Sequence, residues 1–310
     1  MDQTNPLLPP PDPVTLLDEL EPVLGPRSGE PVALDGGITN RNYRVAMGGE
    51  EYVLRVCGKD TAVLGIDRDA ECEATMAAAQ LGVGPEVVLY RPDLEVLVTR
   101  WVPGRPATAA ELRAEPALTE VAAALRAVHA GPQLPARFDA FALVVDYRDE
   151  VRERGGRDPD GFHAAAAAAA RIQAVLQGPD HELVSCHNDL LPANFLLTDG
   201  RVTIVDWEYA GMGDRFFDLG NLAVNNELDD DDEERLVAAY FGARSPRRLA
   251  ALRLMRVMSD FREAMWGAVQ DVVSELDFDY RAYRDEHFER LLAAIDAPAF
   301  ERSLADATTT

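Results

Sequence analysis

The stretch Ser185-Cys186-His187-Asn188-Asp189-Leu190-Leu191-Pro192-Ala193-Asn194-Phe195-Leu196-Leu197, resumed after a turn by Val202-Thr203-Ile204-Val205-Asp206-Trp207-Glu208, decides how the rest of the chain is read. Asp199-Gly200 between the two halves is a two-residue signal for a tight hairpin turn. Apolar runs flank it, so 195–198 and 202–205 are expected to pair as short strands. Asp189 and Asn194 then lie on the loop before the first strand, and Asp206 ends the second. Two carboxylates and an amide oxygen converging from two loops can hold Mg2+ and set a base beside the terminal phosphates of a nucleotide. A loop whose Asp and Asn merely cap turns is the competing reading for any one of them. The whole spaced set beside an Asp-Gly hairpin points to chemistry instead.

The 310 residues suffice for a large core in two lobes, and the formal net charge of −24 leaves no basic stripe for nucleic acid. A strongly negative field favours encounter with a cationic substrate. Lys59 is the only lysine. Cys57, Cys72 and Cys186 are odd in number and form no Cys-x-x-Cys pair, which predicts reduced thiols and a cytoplasmic location. The first residues lack a basic region followed by an apolar one, so no signal peptide is expected. No apolar run is long enough to span a bilayer, so no membrane partner is expected either.

Before the decisive stretch, a proline-rich arm precedes a short helix at 14–24, broken at Gly25-Pro26. Gly36-Gly37 would let backbone N–H groups approach phosphates, with Thr39, Asn40 and Asn42 as further donors. A turn at Gly48-Gly49 leads to a strand at 52–56, on which Arg55 points away from an apolar face and could reach α- and β-phosphates. An alanine-rich helix follows at 74–81, and Glu71 or Glu73 before it is the candidate partner of Arg55. Strands at 86–90 and 95–99 run into Arg100-Trp101-Val102-Pro103-Gly104, a hinge-like exit whose backbone could bind adenine. Beyond Gly104 the chain reads as helical, with a variable stretch through 160 and an alanine run at 164–170. Asp218 reads as a helix-start residue, and Asp229–Glu234 (229–234) as an acidic helix opening. The best amphipathic helix spans 252–276, with Trp266 at the edge of its stripe and Phe278, Tyr280 and Tyr283 just after. Ring faces there could cage an ammonium.

His187-x-Asp189, Asn194 and Asp206 at these spacings resemble the catalytic core of kinase-like small-molecule phosphotransferases, the superfamily of choline/ethanolamine kinases and aminoglycoside phosphotransferases. The glycine stretch 36–43 and the segments 261–267 and 276–280 are similar to choline-kinase-like proteins. The resemblance implies an α+β, two-lobe protein-kinase-like fold, with a small antiparallel-sheet N-lobe and a large, mostly helical C-lobe around an ATP cleft. Its domains would be an arm and short helix at 1–30, a nucleotide-binding N-lobe at 31–104, and a C-lobe at 105–310. It implies Asp189 as catalytic base with His187 bracing its loop, and Asn194 and Asp206 as Mg2+ ligands. Gly36, Gly37, Thr39, Asn40, Asn42, Arg55, Glu71, Arg100 and Val102 would serve ATP.

The implied reaction is transfer of the γ-phosphoryl group to a hydroxylated amine, choline or ethanolamine first, with Trp266, Tyr280, Asn225 and Glu227 as acceptor contacts. Two departures bear on the acceptor. Leu191 stands where eukaryotic choline kinases carry glutamine, and Asn225, with Glu227 two residues on, stands where they carry a pocket glutamate. An aminoglycoside, amino-sugar or thiamine kinase on the same scaffold, and an inactive nucleotide-binding pseudokinase, remain alternatives. The oligomeric state is not legible in the sequence.

Overall fold

The computed structural model describes residues 12–34, 40–58, 61–179, 181–198, 201–274 and 278–308. The arm before residue 12, the loop residues Gly36, Gly37 and Thr39, the Asp199-Gly200 turn and Leu276 lie outside the described residues. The chain divides into two compact units, residues 1–59 with 85–103, and residues 60–84 with 104–310.

In the first unit, Asp12 caps helix α1 (Pro13–Leu24), and Gly25 at φ 83° ends it. Its buried face, Leu16, Leu17, Leu20 and Leu24, packs on a five-stranded sheet. The strands are β1 (Val32–Leu34), β2 (Arg41–Met47), β3 (Glu50–Val56), β4 (Val87–Arg91) and β5 (Val96–Arg100), all antiparallel neighbours in the order β1-β2-β3-β5-β4. The β2–β3 turn is Gly48-Gly49, both with positive φ. A Cβ on Gly48 would also sit 2.3 Å from the Leu24 carbonyl oxygen, so this position needs glycine for space as well as conformation. Period-two alternation sends Tyr52, Leu54 and Val56 into the α1 core. Arg55 therefore takes the opposite face, directly across from Asn42.

The second unit is mostly helical. It contains α2 (Arg68–Gln80), β6 (Arg105–Pro106), α3 (Ala109–Arg113), α4 (Ala117–His129), α5 (Ala140–Glu153) and α6 (Phe162–Leu176). Then come β7 (Val184–Cys186), β8 (Phe195–Thr198), β9 (Arg201–Ile204), β10 (Gly211–Gly213) and α7 (Arg215–Asn225). Helices α8 (Asp230–Phe241), α9 (Pro246–Val273), α10 (Tyr280–Asp296) and α11 (Pro298–Thr308) complete it. β8 pairs with β9 as the hairpin reading requires, β6 joins its other edge, and β7 pairs with β10.

Three elements differ from the sequence reading. Helix α2 begins at Arg68, because the Asp67 side chain caps it by accepting from the amides of Asp69 and Ala70. The variable stretch contains α5, whose Phe141, Val144, Tyr147 and Val151 are buried although charged residues interrupt their run. The α7 cap is Asp214, which accepts from the Phe216 amide, and Asp218 lies inside the helix. The acidic opening of α8 and the alanine run within α6 are helical as expected.

Helix α9 is the axis of the second unit and packs against α5, α6, α7, α8, α10 and α11. Every residue from Val257 to Gln270 is buried, so the stripe read as amphipathic belongs to a helix covered on all sides. Gly220 is what lets α7 lie against it. A Cβ at that position would stand 2.6 Å from the Met255 carbonyl carbon and 2.7 Å from the Arg256 amide nitrogen, both backbone atoms that cannot swing aside. Glycine within a helix costs about 1 kcal/mol relative to alanine. Gly220→Ala should nevertheless destabilise by about 3 kcal/mol, because overpacking outweighs the propensity gain. A urea midpoint equal to or above that of the parent would contradict this reading.

Candidate active site

The loop 187–194 holds its shape because most of its backbone amides have a dedicated partner. Fully buried Asp218 accepts the His187 amide at 2.9 Å and the Asn188 amide at 2.6 Å. His129 Nε2 donates to the same carboxylate at 3.0 Å, and His129 Nδ1 accepts the Tyr240 hydroxyl at 2.5 Å. The Leu190 amide donates to Asn221 Oδ1 at 2.5 Å, while Asn226 Nδ2 donates to the Leu190 carbonyl at 3.0 Å. Asp218 and Asn221 belong to α7 and Asn226 is its C-cap, so one helix carries the loop. Sequence spacing assigned no role to Asn221, Asn226 or His129; the signal for Asn221 and His129 was polarity among apolar neighbours, and Asn226, between Asn225 and Glu227, carried none.

His187 lies inside this frame. Its Nδ1 accepts from the Asp189 amide at 3.2 Å and its Nε2 donates to the Val205 carbonyl at 3.0 Å. Those partners define the neutral tautomer, and burial lowers the imidazole below its ordinary value. The ring also packs edge-on against Trp207 at 4.6 Å. His187 thereby joins the Asp189 loop to the chain leaving β9.

That chain carries Asp206 at φ 67°, in the left-handed region that disfavours non-glycine residues. Asn188 is in the same region at φ 68°. Backbone strain of this kind persists where surrounding bonds over-determine it. On the other side, Arg68 of α2 bridges Glu71 at 2.6 Å and Glu208 at 3.0 Å, anchoring the residues just after Asp206. Glu71 is buried and Glu73 exposed. Asn194 Nδ2 donates to the Asp189 carbonyl at 2.8 Å and to its carboxylate at 3.3 Å. This commits the NH2 end of the amide to the loop and leaves Oδ1 as the atom a cation would meet. Two hard oxygen donors, Asn194 Oδ1 and the Asp206 carboxylate, suit Mg2+.

Asp189 is buried, and burial pushes its carboxyl up to about 8; Arg262 opposes the shift, while Glu263, Asp206 and Glu208 add to it. Desolvation makes this carboxylate a stronger base than an exposed one. Arg262, on α9, is itself fully buried, with Nη1 3.4 Å from Asp189 Oδ1. It also donates to Glu263 and lies over the Tyr209 ring at 4.3 Å. The Tyr209 hydroxyl accepts from Trp266 Nε1 at 3.0 Å. Trp266 meets Tyr280 at 5.9 Å and Tyr283 at 5.6 Å, and Phe278 covers both tyrosines. Trp266 and Tyr280 are thus brought together as expected. Tyr283, read from the sequence as part of that aromatic set, joins them, and so do Tyr209, Arg262 and Glu263, to which spacing gave no role.

Asn225 is the last residue of α7, half-buried, and its Nδ2 is buried with no hydrogen-bond partner among the described residues. Glu227 is exposed, and its carboxylate is 3.6 Å from Arg113. The position next to them, Asn226, is the one turned toward the loop.

The first unit presents its own set. Asn40 is buried and accepts the Gly58 amide at 3.3 Å; Asn42 keeps a buried Oδ1 with no hydrogen-bond partner among the described residues. Arg100 is engaged by Glu50 and Glu86, and its amide donates to the Glu86 carbonyl. Trp101 donates its amide to the Glu51 carbonyl.

Residues 31–258 match the model of the phosphotransferase enzyme family. The chain is similar to the structure of a choline/ethanolamine kinase family protein from Mesorhizobium loti, with 32% identity and a TM-score of 0.81, covering 94% of this chain and 99% of that one. It is 27% identical to ethanolamine kinase 2 of Mus musculus, over 88% of this chain and 78% of that protein. It is also 27% identical to protein LicA of Haemophilus influenzae, over 68% of this chain and 62% of that protein's length.

A pH dependence follows from the start of α7. His181 Nε2 lies 3.0 Å from Asp214 Oδ2, and this hydrogen bond raises the imidazole above its ordinary value; Asp139 adds to the effect, while burial and Arg137 oppose it. A histidine raised in the folded state stabilises fully below its unfolded value of about 6.5 and loses that contribution as pH rises through the folded value. His181→Gln should therefore be less stable than the parent at about pH 5.5, with the gap narrowing toward about pH 9. Thermal midpoints measured across that range check this, and a gap that widens with pH would reverse the assignment.

Proposed function

The chain belongs to the phosphotransferase enzyme family and to its choline/ethanolamine kinase branch, and from that membership we propose that it transfers the γ-phosphoryl group of ATP to the hydroxyl of a small amino alcohol, choline or ethanolamine. The observation that carries the acceptor reading is Arg262, which touches the carboxylate of Asp189 on one side and the ring of Tyr209 on the other. Through Tyr209 the base is joined to Trp266 and the neighbouring aromatic faces. An ammonium held by those faces, each cation–π contact worth on the order of 0.5–2 kcal/mol, would carry a hydroxyl on a short tether toward Asp189.

In this reading the acceptor oxygen bonds to the γ-phosphorus as the bond from phosphorus to the departing ADP oxygen breaks. Asp189 takes the hydroxyl proton, aided by the desolvation that strengthens it as a base. Asn194 holds the Asp189 loop closed through its two amide hydrogen bonds, and His187 keeps that loop in register with Asp206. Asn194 Oδ1 and Asp206 would hold Mg2+, which when bound offsets phosphate charge. Asn40, Asn42 and Arg55, with Gly36, Gly37 and Thr39, are proposed to grip the phosphates, and Glu71 to support them. Arg100 and Val102 are proposed for the purine. Arg100 and Trp101 have spent their amides on the sheet, and the Val102 amide has no hydrogen bond among the described residues.

ADP release measured with choline, ethanolamine, kanamycin and thiamine as separate acceptors tests the proposal. Turnover of the two amino alcohols is expected, and turnover of kanamycin with none of choline would overturn it. The two carboxylates should separate by role. Asp189→Asn should lower kcat by about 100-fold or more while Mg-ATP still binds. Asp206→Asn should weaken Mg-ATP binding as well as turnover, readable by calorimetry. Near-parental kcat in Asp189→Asn would remove it as the base.

A further inference from the structure

Arg262 presents a problem for any pocket that takes a cation. It is among the largest fully buried side chains of the chain, its guanidinium lies over Tyr209, and Tyr209 is hydrogen-bonded to Trp266. A fixed positive charge one ring away from the acceptor's ammonium would repel it, and weak screening in the interior strengthens that repulsion. Glu263 is placed to remove it. Neighbouring residues on a helix do not normally face one another, yet the Glu263 carboxylate turns back to accept from Arg262 through Oε1. Its Oε2 accepts the Tyr283 hydroxyl at 2.8 Å, and the residue is buried. Tyr283 packs on Trp266, so the hydroxyl that orients Glu263 belongs to the aromatic group itself.

We propose that Glu263 is a specificity-determining residue: by cancelling the charge of Arg262 it makes the aromatic pocket accept a cationic alcohol in preference to an uncharged one. This inference rests on the amino-alcohol reading and deepens it. Glu263 acts here through Arg262 and needs no contact with the ammonium. Tyr283 is the positioning residue that holds it in place. Arg262 is retained because it also reaches Asp189 and the Asn188 carbonyl.

The test compares choline with 3,3-dimethylbutan-1-ol, its uncharged isostere in which carbon replaces nitrogen. Dissociation constants for both are measured by calorimetry on the parent, on Glu263→Gln, and on the double variant Arg262→Met with Glu263→Gln. The parent should prefer choline. Glu263→Gln should lose that preference by roughly tenfold or more, a change of about 1.4 kcal/mol per tenfold. The double variant, which removes the guanidinium together with the carboxylate that cancels it, should regain most of the preference, and it supplies a reading if the single variant folds poorly. A ratio unchanged in Glu263→Gln, or no recovery in the double variant, would overturn the inference. A parent that turns over both alcohols without preference would overturn it too and leave the phosphotransfer reading standing. A parent that turns over neither of these alcohols nor ethanolamine overturns the amino-alcohol reading itself.

Discussion

The geometry of this site depends on one buried carboxylate. Asp218 has no access to solvent and receives three N–H groups, two from consecutive backbone amides of the loop and one from His129. Burying an ionised group is costly unless it is fully hydrogen-bonded. The consequence is strict: the loop cannot move by an ångström without leaving that charge partly unsatisfied. Asn188 is held at positive φ by this arrangement, its amide on Asp218 and its side-chain NH2 on the Tyr209 carbonyl at 3.0 Å. Asp189, the next residue, inherits a fixed position.

The same economy operates along α9. A helix surrounded by other helices would ordinarily be apolar on every side, but this one buries Asp260, Arg262 and Glu263. Each is paired. Asp260 takes Arg290 and His287 from α10, and Glu263 takes Arg262 and Tyr283. Breaking one member of such a pair costs far more than the pair contributes. These residues therefore fix how α9 and α10 register against each other, and with it where the aromatic side chains stand. Arginine suits the central position better than lysine would. A planar guanidinium can stack on Tyr209 while donating to two carboxylates and a carbonyl, whereas an ammonium is a single compact charge.

Much of this was legible in the sequence, and the part that was not has a physical explanation. The Asp189, Asn194 and Asp206 spacing and the flanking hairpin strands are local features, set by a few residues and one turn, and the structure forms β8 and β9 where the apolar runs place them. Strand β3 of the first unit followed from alternation and the Gly48-Gly49 turn for the same reason. Helix α5 was missed although Phe141, Val144, Tyr147 and Val151 recur at helical spacing; Asp146, Arg148, Asp149 and Glu150 break the apolar run along the chain while standing on the other faces of the helix. The acceptor residues were the hardest. Asn225 and Glu227 came from the resemblance, counted from Asp206, whereas polar residues bonded to the aromatic group on α9 and α10 are brought near Asp189 only by tertiary packing. Periodicity along 252–276 shows one apolar stripe, and only the covering helices show that the polar residues between its members are buried too.

Charge acts at two ranges in this molecule, and they should be kept apart. The net charge of −24 acts over the whole surface, where salt screens it beyond about 10 Å, so it can hasten the arrival of a cation without choosing among cations. Selection has to come from groups that meet the ligand after water is excluded. There the balance is local: the Arg262 guanidinium is offset by the Glu263 carboxylate and also reaches Asp189, with a ring beneath it. An acidic surface would favour an aminoglycoside and an amino alcohol alike. A buried neutral pair lined by aromatic faces favours a compact organic cation, because ring faces attract a weakly hydrated charge and offer no hydrogen bonds to a sugar's many hydroxyls. The choice of acceptor therefore rests on the interior pairing of Arg262 with Glu263, and the surface charge carries none of it.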